Sequence, residues 1–249
     1  MSSLDKRGRR PLVLAAHGSR DPRSAATIRQ LAGRVAARWA GPVTAAFLDF
    51  DAPSVADALR THSDAPIVLP LLLTSAYHGR VDLPEVVRAC GVGEITDVLG
   101  PAEPGDAPDH RLVAALLRRV SELESDFDGL VLIAAGTSHG PARSTIDSVA
   151  AALSTVLHVP CLVGYASASE PTAAQAVAAV RALGATRIVA ASYFLAAGRL
   201  YDAAAASARA GGALTVAAPL GDAPEIVDLV LQRAMAADEQ AAPTAAVAA

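Results

Sequence analysis

Residues 11–22, PLVLAAHGSRDP, and residues 129–141, GLVLIAAGTSHGP, are two versions of one strand-to-helix turn. Each starts as a short apolar run, breaks at a glycine and continues into a polar helix start. At a constant offset, residues 12–36 and 130–154 share 8 identities in 25, among them Gly18/Gly136 and Thr27-Ile28/Thr145-Ile146. A second pair agrees with one residue deleted: IVLPLLLTSAYHGRVD (67–82) and IVAASYFLAAGRLYD (188–202). The chain therefore reads as an internal duplication. Its copies differ in one respect that matters chemically. His17 and His78 follow strand-like runs in the first copy, whereas Ala135 stands at the His17 position and Gly198 or Arg199 at the His78 position in the second. One working site, in the first half, is expected.

Outward from these turns, strands alternate with helices. Residues 11–16, 43–48, 66–73 and 95–99 read as strands, being apolar runs bounded by Gly, Pro or Asp. Ile28, Leu31, Ala32, Val35 and Trp39 keep the spacing of an amphipathic helix, with Asp21 at its N-cap and Pro22 at its first position. Further helices are expected near 53–61, 82–90 and 108–123. The second half repeats the plan, with strands at 129–135, 160–165, 186–194 and 214–218 and helices at 141–156, 170–183, 199–210 and 222–236. Such alternation implies an α/β fold of two similar domains. Each would be a flavodoxin-like parallel four-stranded sheet with helices on both faces. The acidic stretch 122–128 marks the boundary, so the expected domains are 11–124 and 125–236, between a flexible tail at 1–10 and a disordered tail at 237–249. In a 2-1-3-4 strand order, ligands bind beyond the carboxyl ends of strands one and three, where His17 and His78 lie.

Composition narrows the function. The 249 residues are 52% hydrophobic and 18% charged, with a net charge of −4, so neither nucleic acid nor an anionic membrane is an expected partner. No apolar run reaches the roughly 18 residues needed to span a bilayer, and the basic start Lys6-Arg7-Gly8-Arg9-Arg10 precedes too short an apolar segment for a secretion signal. Cys90 and Cys161 form no C-x-x-C pair and are expected reduced, in a cytoplasmic protein. Lys6 is the only lysine, which argues against a phosphate-binding P-loop and against Schiff-base chemistry.

Neutral imidazole is a good ligand for Fe, Co, Ni and Zn, and its ordinary pKa of about 6.5 makes it a proton acceptor near neutrality. Two histidines and one carboxylate leave coordination positions open, which suits a site that passes a metal on. Asp49, at the end of the second strand, is the best-placed carboxylate. His62, His110 and His158 read as structural or exposed, and His139 as a residue that could face the cleft.

HGSRDP (17–22) and the PLLL…YHGRVDLP segment (70–84), in this order after two strands, resemble the class II tetrapyrrole chelatases. The likeness is to the sirohydrochlorin chelatases of the siroheme and cobalamin pathways in their long, two-domain form. The resemblance implies a lyase that inserts Fe²⁺ or Co²⁺, as substrate, into the tetrapyrrole sirohydrochlorin without ATP or an organic cofactor. It implies that His17 and His78 bind the metal and accept pyrrole N–H protons, with Asp49 as a further metal ligand or proton relay. The substrate's carboxylates would be met by Arg20, Arg80, Arg143 and Arg199, and Ser19, Tyr77, Ser138 and His139 would line the cleft. A monomer is favoured. A non-catalytic metal or tetrapyrrole carrier using the same histidines stays open as the alternative. A phosphate-handling hydrolase is disfavoured, because no convincing Ser–His–Asp order accompanies the HGS turn.

Overall fold

A computed structural model describes residues 8–62, 65–74, 82–167 and 169–240. The first half contains strands β1 (Leu12–Ala16), β2 (Val43–Phe47), β3 (Ile67–Pro70) and β4 (Glu94–Ile95), with helices α1 (Pro22–Ala36), α2 (Val55–Arg60), α3 (Leu83–Cys90) and α4 (His110–Ser121). The second contains β5 (Gly129–Ala134), β6 (Cys161–Tyr165) and β7 (Ile188–Tyr193), with α5 (Gly140–Leu157), α6 (Ala173–Ala182), α7 (Arg199–Ala210) and α8 (Pro224–Gln240). All strand pairs are parallel, in the orders β2-β1-β3-β4 and β6-β5-β7. β1 and β5 are central and buried along their whole length, which is why both read as unbroken apolar runs.

The second sheet departs from the expected four strands. Residues 214–218 run beside β7 and keep backbone hydrogen bonds to Ile188 and Ala190, but only Val216 forms a bridge. Leu214 is exposed at the edge of this segment, while Val216 and Ala217 are buried.

Alternate residues along the central strands feed different cores. Leu12 and Leu14 of β1 and Leu130 and Leu132 of β5 share one cluster with α1, α4, α5 and α8, and this cluster runs through both halves. Val13 and Ala15 pack outward on α2 and α3, and Val131 and Ile133 outward on α6 and α7. The common core arises because the halves exchange their last helices. α4 leaves the first half to pack on β7 and α5, and α8 returns to pack on β3, α1 and α4. The ion pairs Arg34–Asp222, Arg38–Asp228 and Arg118–Glu225 line the seams of this exchange.

Both expected tails are shorter than the sequence suggests. α8 stays helical through residues 237–240, because Ala237 is buried and Asp238 takes a hydrogen bond from Arg9 at 3.0 Å. At the other end Arg9 lies 4.9 Å over the Trp39 ring, and Arg10 pairs with Glu94 at 2.8 Å. The indole of Trp39 donates to the Arg10 carbonyl. No described helix is long and apolar enough to cross a membrane.

Candidate active-site cleft

β1 ends at Ala16, and its pairing with β2 continues past both strands: Leu48 donates to Ala16 O and Asp49 to His17 O, each at 2.9 Å. The loops after the two strands are thereby stitched together, which brings Asp49 beside His17. Gly18 makes the approach possible. Its φ is +89°, and a Cβ there would run into the Asp49 carbonyl oxygen. The Ser19 N–H donates to Asp51 Oδ2 at 3.0 Å and the Asp21 N–H to Ser19 Oγ at 3.1 Å. Asp21 then caps α1 as expected, accepting from the Arg23 N–H at 3.0 Å. A hydrogen bond from the Arg23 side chain holds the Asp21 carboxyl below its usual range.

His17 Nδ1 is buried and lies 3.8 Å from Asp49 Oδ2, too long for a hydrogen bond. The side chain is 40% exposed. Among the described residues no three His, Cys, Asp or Glu side chains gather into a metal-binding group. His17 and Asp49 supply two donors of the kind an incoming divalent metal takes.

His17 opens onto a cleft of about 500 Å³. Its first wall includes Ser19, Arg20 and Phe50, its floor Leu71 and Leu72, and its second wall residues 194–201 of the other half. Arg199 enters from the first position of α7. Beside the cleft, Arg23 holds both Asp21 and Asp202 at 2.5 Å, tying α1 to α7 across the halves. Tyr193 is buried rather than cleft-lining, and its hydroxyl donates to the Leu73 carbonyl at 2.8 Å, anchoring the chain beyond β3.

The expected site residues divide into three groups. His17, Ser19, Arg20 and Arg199 line the cleft, with Asp49 adjoining His17. Tyr77, His78 and Arg80 lie outside the described residues. Ser138, His139 and Arg143 do not line the cleft. His139 is the N-cap of α5, its Nδ1 accepting the Ala142 N–H at 3.3 Å, and Ser138 is exposed. Arg143 lines a separate cavity of about 380 Å³ with Asp147 and Tyr165. Burial raises the Asp147 carboxyl, and burial together with Asp147 pushes the Tyr165 hydroxyl up to about 12. Sequence reasoning passed over Phe50, which the loop after β2 holds at the cleft with 62% exposure. An exposed phenylalanine leaves no trace in a periodicity.

The sequence profile of the CbiX family matches residues 11–123 and again residues 129–237. The chain belongs to the CbiX family. The twofold match follows the two copies read from the sequence. No curated protein matches the sequence. Among solved structures, the cobalt complex of the sirohydrochlorin chelatase SirB from Bacillus subtilis subspecies spizizenii superposes with a TM-score of 0.74 at 18% identity, covering 94% of this chain and 97% of that one. SirB from Bacillus subtilis with Fe³⁺ gives 0.75 at 20% identity, covering 91% and 94%. CbiX, the terminal enzyme for biosynthesis of siroheme in denitrifying bacteria, gives 0.66 at 20%, covering 92% and 99%. The two-sheet α/β fold of this CbiX-family chain is thus that of the long chelatase structures.

Proposed function

We propose that the chain inserts a divalent metal, Fe²⁺ or Co²⁺, into sirohydrochlorin. The observation that carries this reading is a partly exposed imidazole lining a two-walled cleft, beside a carboxylate and with two arginines on the same cleft, in a chain of the CbiX family. Arg20 and Arg199 have no carboxylate partner among the described residues, although many arginines of the inter-half seams do. In a chain of net charge −4, two unpaired guanidiniums facing one cleft suit the carboxylates on the rim of an anionic substrate.

Insertion replaces two pyrrole N–H bonds with metal–nitrogen bonds and releases two protons. His17 can serve both needs. Its ring lines the cleft, where it binds the incoming metal or takes a pyrrole proton, and Asp49 beside Nδ1 stabilises the imidazolium that results. His78 is proposed as its partner on sequence grounds. No nucleotide is required, which accords with the absence of a P-loop lysine. Both walls of the cleft come from one chain, which supports a monomer as the working unit.

The test is an anaerobic absorbance time course of sirohydrochlorin with Fe²⁺ or Co²⁺, with and without protein. Acceleration over many turnovers is expected, and the relative rates rank the two metals. A spectral change that stops at one equivalent would make the protein a carrier. Substitution of Arg20 or Arg199 by alanine is expected to raise the KM for the ring about tenfold, in line with one lost charged hydrogen bond.

A further inference from the structure

Resting on the reading of the cleft as a tetrapyrrole site, we propose that Phe50 and Leu200, one from each wall, grip the flat apolar face of the macrocycle, and that Phe50 sets its position over His17. Six large hydrophobic side chains are exposed among the described residues, and only these two line the cleft. They are 62% and 47% exposed, and such side chains on opposing walls mark a site for an apolar ligand face.

Phe50 is held in place against its own backbone preference. Its φ is +64°, in the left-handed region that a bulky side chain avoids. The surrounding loop imposes that conformation. The Asp51 N–H bonds Asp49 O at 2.7 Å, the Asp51 carboxylate receives the Ser19 N–H, and the Phe47 N–H bonds Pro53 O at 3.0 Å. A residue kept in an unfavourable conformation with its side chain in solvent is a candidate for function.

The groups around the phenyl ring match the parts of a flat polycarboxylate macrocycle. The Arg20 guanidinium carbon stands 5.1 Å from the ring centre, and the His17 ring lies 6.5 Å away at an interplanar angle of 62°. An apolar surface, an anion anchor and a base therefore adjoin one another. The second wall is made thin by Ala196, Ala197 and Gly198. A Cβ on Gly198 would lie 3.8 Å from Ser19 Oγ, so the walls nearly meet there and leave a slot. Leu200 stands farther along the same wall.

The experiment titrates metal-free sirohydrochlorin into the wild type and into Phe50→Ala, Phe50→Trp, Phe50→Gly and Leu200→Ala, and measures Co²⁺ affinity separately by calorimetry. Phe50→Ala is expected to weaken ring binding about tenfold, as loss of an aromatic contact does, with KM rising more than kcat falls. Co²⁺ affinity stays unchanged, Phe50→Trp restores ring binding, and Leu200→Ala weakens it less. Phe50→Gly is expected to raise Tm, because glycine accepts the positive φ, while weakening the ring; a merely structural phenylalanine would not move stability and binding in opposite directions. Ring affinity unchanged by Phe50→Ala in a wild type that binds and turns over would overturn the clamp alone. A wild type that binds no ring would overturn the functional reading, and the clamp with it.

Discussion

The loop after β1 and the loop after β5 have the same construction and different chemistry. Gly18 and Gly136 take φ of +89° and +93°, and each leaves room for a carbonyl of the neighbouring loop, from Asp49 and from Ser167. The Ser19 N–H bonds Asp51 and the Thr137 N–H bonds Ser169. The hydroxyls of Ser19 and Thr137 accept the N–H groups of Asp21 and His139, and those two residues cap α1 and α5. What changes is the cargo. Ala135 stands at the His17 position, and Ser167 at the Asp49 position. The skeleton of a duplicated turn is maintained by backbone geometry, while the base and the carboxylate occur once. The second half supplies a wall and an arginine to the cleft, and the proposed function draws its reactive groups from the first.

The sharpest way to break this contrast is to remove the imidazoles. His17→Ala is expected to lower the insertion rate by about 10²- to 10⁴-fold while leaving the fold intact. His139→Ala should cost only a helix cap, about 1 kcal/mol of stability. Equal rate losses in the two variants would place the site across both loops.

Matched glycine substitutions come next. Gly18→Ala and Gly136→Ala each force a methyl group against a carbonyl at positive φ, and each is expected to cost roughly 1–3 kcal/mol in chemical denaturation. Only Gly18→Ala should also depress turnover strongly, since it displaces Asp49 from His17. Tyr193→Phe removes the bond from the second half to Leu73, at about 1 kcal/mol. Its rate should fall modestly, because that bond anchors the chain leading toward His78.

The smallest effect concerns the exchanged helices. A hydrogen bond from Arg118 lowers the Glu225 carboxyl pKa, so the pair stabilises the fold above the ordinary value of 4.5, and that stability is lost as pH falls through the lowered folded-state value. Being partly exposed, it contributes roughly 0–1 kcal/mol. Glu225→Gln should flatten the acid limb of stability against pH by that amount and leave the limb above pH 6 parallel to wild type.

The sequence by itself determined the duplication, the parallel central strands, the capped start of α1 and the place of His17. It could do so because a strand buried on both faces must be an unbroken apolar run, and a strand-to-helix turn needs its glycine and cap locally. Only the tertiary structure decided what lies across from each surface. The pattern of α4 or α8 says that one face is buried, not that the burying partner is the other half, so the exchange of helices was not legible. The same holds for Arg143, which the repeat brings to the right helix but the packing turns to a different cavity. It holds for Phe50 too, whose exposure depends on a backbone conformation imposed by Asp51 and Pro53. Residues 8–10 and 237–240, read as tails, meet each other through Arg9 and Asp238, more than two hundred residues apart, and Arg9 and Arg10 also find Trp39 and Glu94.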